Sequence, residues 1–395
     1  MNIGFIYAYG IHPTLGGVAN VTHSLSQLFR EKGHSVWFIG LANSRPMPEN
    51  DPFQIYLPCS DVRGRENIEF LSKFLCDNRI TCIINQTASY DTKTISLLSK
   101  CKDKLARDSY DIKIITCFHS SIITNAINFA YTKEIELKKK HLGIFFSILK
   151  SRLVSKFLVW KYIKDHRKSY LSFLNNSDSI VMLCEGQKKE LLKMIDKEYD
   201  DKIYVIPNPV PKVEIENSIE KDNVVLWVGQ FSNNIKRPDW MVDIWRKVVG
   251  NNLDWKLLML GDGEAFDSIK SRIENEGIKN VELTGRVQTK SYYQRAKIIC
   301  MTSVHEAFPM VLMEALQFSV IPIVYNSFTS ASFIISDGDN GYLIKPFNEK
   351  EFARKLENIM HSQETIAKMT ASGRKTVEKF SRENVYKLWE KVFIS

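Results

Sequence analysis

Two carboxylates, Glu306 and Glu314, stand eight positions apart in the segment Ser303–Ala315, with Pro309 between them. An apolar run ends just before Ser303, and Pro309 suits the first turn of a helix, where its missing N–H costs nothing. The backbone N–H groups that follow have no partner inside the helix and point back into the loop, a ready anion site. Glu306 falls in the loop and Glu314 in the second helical turn, so both reach one ligand lying across the helix start. Carboxylates accept hydrogen bonds from hydroxyls well. A ligand carrying phosphates and sugar hydroxyls would therefore satisfy donors and acceptors together. Two glutamates at this spacing also occur on ordinary surface helices; their place between a strand and a proline-started helix is what singles them out.

Other arrangements point away from metal and redox chemistry. Asp337-Gly338-Asp339 looks like a metal-binding pair, but it lies in Asp337–Gly341, a run of turn formers, and reads as a turn. No His/Cys group has zinc spacing, so no catalytic metal and no cofactor are expected. Gly261-x-Gly263-x-x-Phe266, with Glu282 downstream, partly mimics a dinucleotide fingerprint. Its third position needs a small residue for close helix–strand packing, and Phe266 is not one. Seven cysteines form an odd set without a CxxC pair, and Cys82, Cys117, Cys184 and Cys300 lie in strand-like apolar runs. They read as buried thiols in a reducing compartment, and the chain as cytoplasmic.

The chain has 395 residues, 44% hydrophobic and 25% charged, with a formal net charge of +9. That size suits two domains and that composition a soluble globular protein. The first charged residue is Arg30; glycines and histidines interrupt the stretch before it, which reads as a buried strand and glycine loop rather than a signal peptide. The uncharged run Ala315–Ser336 is broken by Pro322 and Asn326, and no membrane-spanning helix is expected. Nearly all the positive excess lies in residues 133–168, with eleven Lys or Arg against three acidic residues, interleaved with Phe145, Phe146, Phe157, Trp160 and Tyr162. Such a patch suits an anionic membrane surface, at roughly 1 kcal/mol per basic residue near the lipid. It reads equally as a solvated helical pair closing its domain, since Arg152 and Lys156 break the apolar stripe. Without a recognition motif beside it, nucleic acid is not expected.

The elements that must position these residues alternate between strand and helix. Apolar runs Ile3–Tyr7, Val36–Ile39, Thr81–Asn85, Ile112–Phe118, Ser179–Cys184 and Ile203–Ile206 are separated by helical patterns such as Val18–Glu31 and Gln187–Ile195. After a polar linker, Lys212–Asn223, the alternation restarts with Val224–Val228, Lys256–Leu260, Val281–Thr284, Ile298–Thr302 and Ile321–Tyr325. Continuous rather than alternating apolar strands belong to parallel sheets covered on both faces. The reading is α/β, with two doubly wound Rossmann-like domains in tandem. Residues 1–215 form the first, with the basic insertion at about 133–168; 216–378 form the second, and 379–395 cross back to the first. Ligands of such sheets bind beyond the carboxyl ends of the strands, here in a cleft between the domains.

The Glu-x7-Glu spacing within Ser303–Leu316 resembles the signature of glycosyltransferase family 4, retaining enzymes of the GT-B fold. The resemblance implies that Glu306 holds the donor sugar and Glu314 the ribose hydroxyls. The N–H groups around Phe308, Pro309, Met310 and Val311 would face the diphosphate. Ala307 stands where the family usually has Gly. Upstream, Leu226–Pro238 resembles the family's diphosphate-binding segment: Gly229 and Lys236 match, but Gln230 replaces an arginine, and Arg237 is expected to supply the lost charge. Gly261 matches the family's G-x-G after the next strand. Gly16-Gly17, with Leu25, Leu28, Gly33-His34 and Val36, resembles the family's first-domain pattern, where glycines admit phosphate to the backbone. His119 matches a histidine near the donor sugar; the alternative is a merely buried or surface imidazole. Asn208 matches a structural turn.

The resemblance covers nearly the whole chain, strongest over 224–346 and weakest over 120–170. It implies retaining transfer of a hexose or N-acetylhexosamine from a nucleoside diphosphate sugar, by family precedent UDP. The acceptor implied is a lipid-linked surface glycan such as a lipopolysaccharide, O-antigen or capsule intermediate, handled on the inner face of the membrane. Glu306, Lys236 and His119 would be catalytic. Two alternatives stay open, a nucleotide-sugar isomerase or epimerase on the same architecture and a dinucleotide-dependent oxidoreductase.

Overall fold

A computed structural model of the chain describes residues 1–42, 53–89, 91–195, 197–210, 213 and 220–395. The boundary expected near residue 215, and most of the linker leading to it, lie outside these. The chain forms two compact units: residues 1–122, 162–209 and 381–395, and residues 123–161 and 210–380.

The first unit holds a seven-stranded parallel sheet: β1 (Asn2–Tyr7), β2 (Ser35–Gly40), β3 (Gln54–Tyr56), β4 (Cys82–Asn85), β5 (Lys113–Cys117), β6 (Ser179–Met182) and β7 (Ile203–Val205). Their order is β3-β2-β1-β4-β5-β6-β7. β4, β5 and β6 are almost wholly buried, which is why they read as unbroken apolar runs. β3 was not expected; its three half-buried residues carry no periodic signal. The helix Gly17–Glu31 turns Leu25, Leu28 and Phe29 inward. The helix Arg382–Ile394 closes the unit: Trp389 meets Phe29 edge-on at 5.5 Å, and the Tyr386 hydroxyl lies 2.7 Å from His34 Nε2. Burying a side chain of this size contributes roughly 2–3 kcal/mol.

The second unit holds a six-stranded parallel sheet, β8 (Val224–Val228), β9 (Lys256–Leu260), β10 (Val281–Gly285), β11 (Ile298–Met301), β12 (Ile321–Tyr325) and β13 (Tyr342–Ile344), in the order β10-β9-β8-β11-β12-β13. The order reverses between β8 and β11, which pair through Val225–Ile298 and Leu226–Ile299. The helix Pro238–Val248 buries Met241, Val242, Ile244, Trp245 and Val248 on the sheet, and Glu349–Met360 buries Phe352, Leu356 and Ile359 beside it.

One expectation is corrected. Residues 133–168 were assigned to the first domain, but residues 123–161 belong to the second unit. Polar anchors and aromatic contacts hold them there: Asn128 donates to the Val304 and Ser327 carbonyls, Glu134 pairs with Arg237, and the Tyr131 ring packs 3.8 Å from that of Phe347. Only the part of the helix Arg152–Asn176 from Tyr162 onward counts with the first unit.

Candidate functional site

The loops leaving β8 and β11, the two strands at the reversal of strand order, carry Gly229, Gln230, Lys236, Arg237 and Glu306. They are stitched together by their backbones. The Val304 N–H donates to the Ile235 carbonyl at 2.7 Å, and the Thr302 hydroxyl is shared between the Lys236 and Arg237 carbonyls at 2.9 and 3.0 Å. Thr302 is itself oriented by the Trp227 indole N–H at 2.9 Å. Ser232 completes the turn, its hydroxyl accepting from the Lys236 N–H and its carbonyl from the Arg237 N–H. On this frame Lys236 runs across Gly229 and ends 2.5 Å from Glu306 Oε1. Both side chains are mostly buried, at 22% and 14% exposure. A pair so shielded is costly to break on one side only, because the remaining charge is left uncompensated.

Glycine is required beneath this loop. Gly261, at φ +132°, lies so close to Gly229 that an added Cβ would sit 1.9 Å from the Gly229 carbonyl oxygen. The ends of β8 and β9 thus meet backbone to backbone. Gly263 approaches Phe231 in the same way, and Phe266 packs its ring 5.1 Å from that of Phe231. The position that would need to be small in a dinucleotide fingerprint is filled by core.

The helix after Glu306 runs from Met310 to Gln317, with Pro309 as its extended N-cap rather than its first helical residue. Phe308 is buried between the rings of Phe333 and Phe380, which fixes the approach to the helix. Met310 and Val311 remain half-buried, Leu312 and Met313 are in the core, and Val311 packs against the core cluster that holds Tyr293 and Leu226. Glu314 faces inward. Burial raises its carboxyl to about 7, partly offset by the nearby Tyr293 hydroxyl. His305 is held below its ordinary value by burial, with Glu306 pulling the other way.

Arg237 departs from expectation. It was assigned the charge that Gln230 lacks, but its side chain turns into the unit and is 1% exposed. Its guanidinium donates to both Asp239 oxygens at 2.9 and 2.7 Å, to Glu134 at 2.8 Å and to the Tyr131 carbonyl at 3.2 Å, and it stacks on Trp240 at 3.8 Å. A guanidinium so engaged has little left for a diphosphate. Gln230 itself is exposed.

Gly16, Gly17 and His119 belong to the first unit. Gly16 caps the helix Gly17–Glu31 at φ +121°. His119 follows β5 and donates from Nε2 to Gln86 Oε1. Burial lowers its imidazole to about 4, so it is neutral near pH 7 and offers Nδ1 as an acceptor. Asp337 and Asp339 serve their turn: Asp337 accepts from the Leu343 N–H at 2.9 Å and Asp339 from the Ser372 hydroxyl at 2.6 Å. Among the buried thiols, Cys82 is pushed up to about 12 and Cys101 to about 11. No described helix is long and apolar enough to cross a membrane.

Sequence reasoning missed Asn128, Glu134, Tyr293 and Gln86. Each is a polar side chain at a buried contact, and none sits in a motif; Glu134 had the weak signal of an acid inside a basic stretch.

The two halves of the chain match separate family descriptions. Residues 15–212 match Glycosyltransferase Family 4, and residues 211–376 match Glycosyl transferases group 1. The chain belongs to glycosyltransferase family 4. Among similar proteins is a Campylobacter jejuni GalNAc-alpha-(1->4)-GalNAc-alpha-(1->3)-diNAcBac-PP-undecaprenol alpha-1,4-N-acetyl-D-galactosaminyltransferase, 25% identical over 59% of the chain and 63% of that protein. The chain therefore spans under two thirds of this relative. Another relative, the amylovoran biosynthesis glycosyltransferase AmsD of Erwinia amylovora, is 24% identical over 95% of both chains. The solved structure of Anabaena Alr3699/HepE in complex with UDP-glucose superposes with a TM-score of 0.70 at 12% identity, covering 100% of both chains. Two Rossmann-like parallel sheets of the GT-B type are thus the fold of this family 4 member.

Proposed function

We propose that this chain transfers a hexose or N-acetylhexosamine, with retention, from a UDP-sugar to a lipid-linked acceptor of surface-polysaccharide synthesis. The observation that carries this reading is the Lys236–Glu306 pair at the reversal between β8 and β11, beside the helix start at Met310. Open α/β sheets take ligands at such a reversal. Similarity to a transferase acting on an undecaprenol-linked glycan and to one of amylovoran biosynthesis supports the acceptor class, and a UDP-glucose complex of the same fold supports the donor.

In this reading the donor's diphosphate takes over Lys236 and the N–H groups at the helix start, freeing Glu306 to accept from the sugar hydroxyls. Glu314 accepts from the ribose. The anomeric carbon–oxygen bond breaks toward the diphosphate. The acceptor oxygen bonds to the same face, and the leaving oxygen takes the acceptor's proton. The protein supplies positioning and charge stabilisation, with Lys236 doing what a metal ion does elsewhere.

The surface at which the acceptor arrives belongs to the same proposal. Ile144, Phe145, Ile148, Leu153, Phe157 and Trp160 are exposed along the helices Gly143–Leu149 and Arg152–Asn176, among Lys139, Lys140, Lys150, Arg152, Lys156 and Lys161. Exposed apolar side chains flanked by cations suit an anionic bilayer.

The test is a thermal-shift screen of UDP-, GDP- and ADP-sugars, followed by transfer to lipid-linked acceptors. Stabilisation by a UDP-sugar and anomer-retaining product support the reading. Isomerisation of the donor without acceptor, or no response to any nucleotide sugar, overturns it.

A further inference from the structure

The Lys236 and Glu306 loops are each gripped by the same outside segment. Where the Thr302–Ser303 strand end continues toward Glu306, the Val304 carbonyl accepts from Asn128 Nδ2 at 2.8 Å, and the same amide donates to the Ser327 carbonyl at 2.7 Å. Asn128 joins the helices Thr124–Ile127 and Phe129–Lys139 and is 6% exposed. Six residues further on, Glu134 meets Arg237, the residue after Lys236. Arg237 sits at φ +54°, a left-handed conformation that costs a non-glycine residue roughly 1 kcal/mol. Its backbone faces Thr302 and its side chain faces Glu134, so the turn that aims Lys236 is held from both sides.

We infer that Asn128 and Glu134 are positioning residues for the Lys236–Glu306 pair, clamping its two loops through Val304 and Arg237. The alternative, that these contacts only hold residues 123–161 to the sheet, leaves the left-handed turn at Arg237 unexplained. Three further features support a purpose-built anchor. The arginine is fully buried, it is neutralised by two acids, and it is stacked on Trp240. The inference rests on the donor reading only for what the pair binds; the clamp itself is testable without any ligand.

The first experiment is hydrogen exchange on the full chain. Glu134→Asp keeps the charge balance but retracts the carboxylate, and Asn128→Ala removes both amide bonds. Each is expected to speed exchange in peptides covering residues 232–237 and 303–306 while leaving β9 and β12 protected. Acceleration spread evenly over the second unit would make these residues merely structural, and unchanged loops would refute the clamp.

The second experiment is UDP affinity by calorimetry for Glu134→Asp, Lys236→Ala and the double variant. A misplaced Lys236 should cost UDP affinity about 10-fold or more, and the cost should vanish when Lys236 is already alanine. Additive losses overturn the positioning role. No UDP binding by the unaltered protein overturns the donor reading instead and leaves the exchange result to decide the clamp.

Discussion

Glu314 provides a quantitative handle on the donor site. Burial lifts its carboxyl from the ordinary 4.5 to about 7. A raised folded-state value means that the fold prefers the protonated acid. The stability this confers is complete below the ordinary carboxyl range and is lost as pH rises to about 7, on the order of 3 kcal/mol at full extent. Ribose hydroxyls donating to the carboxylate would favour the ionised form. UDP binding should then release a proton, and affinity should rise with pH, by at most about tenfold per unit, levelling off above pH 7. Between pH 5.5 and 8 the limit is roughly 30-fold. The phosphates of UDP titrate in the same range, so the measurement is a difference: calorimetry on the unaltered protein and on Glu314→Gln, each in two buffers of unlike ionisation enthalpy. Glu314→Gln should lose the extra pH dependence and the proton release, and should unfold at a higher temperature than the parent at pH 8. Identical pH profiles for the two proteins would refute the reasoning.

Lys236→Ala and Glu306→Ala should each lower transfer by roughly 10²–10³-fold, as loss of one preorganised charge contact does, while circular dichroism stays native; near-normal turnover in Lys236→Ala would remove that residue from the mechanism. Gln230→Arg should retain activity, because the side chain is exposed at the loop's surface; inactivation would mean that Gln230 makes a specific contact. EDTA should leave transfer intact, and a strict Mn²⁺ or Mg²⁺ requirement would return attention to Asp337 and Asp339 despite their turn hydrogen bonds. Replacing Phe145 and Trp160 by Glu should abolish co-sedimentation with phosphatidylglycerol vesicles without changing UDP affinity; undiminished binding would argue against the membrane surface.

The parallel sheets were legible because their central strands are buried on both faces, leaving runs such as Ile298–Met301 with no polar interruption. Helix starts were legible where punctuation is chemical, as at Pro309 and Pro238. β3 was not, because three half-exposed residues carry no period. Nor was the allegiance of residues 123–161, since charge count describes a surface and is silent on which unit a helix joins. That allegiance turns on Asn128 and Glu134, single polar residues whose partners lie over a hundred positions away. Arg237 is the instructive failure. Next to Lys236 and rich in charge, it read as a ligand contact, yet a left-handed turn sends its side chain inward to two acids. Adjacent residues on a turn face opposite ways, and spacing alone does not say which faces the ligand.

The most direct measurement is a crystal structure of the protein soaked with UDP. The diphosphate is expected against Lys236 and the N–H groups at Met310 and Val311, with the ribose on Glu314. Density for the nucleotide anywhere else, with the Lys236–Glu306 pair left intact, would contradict this placement.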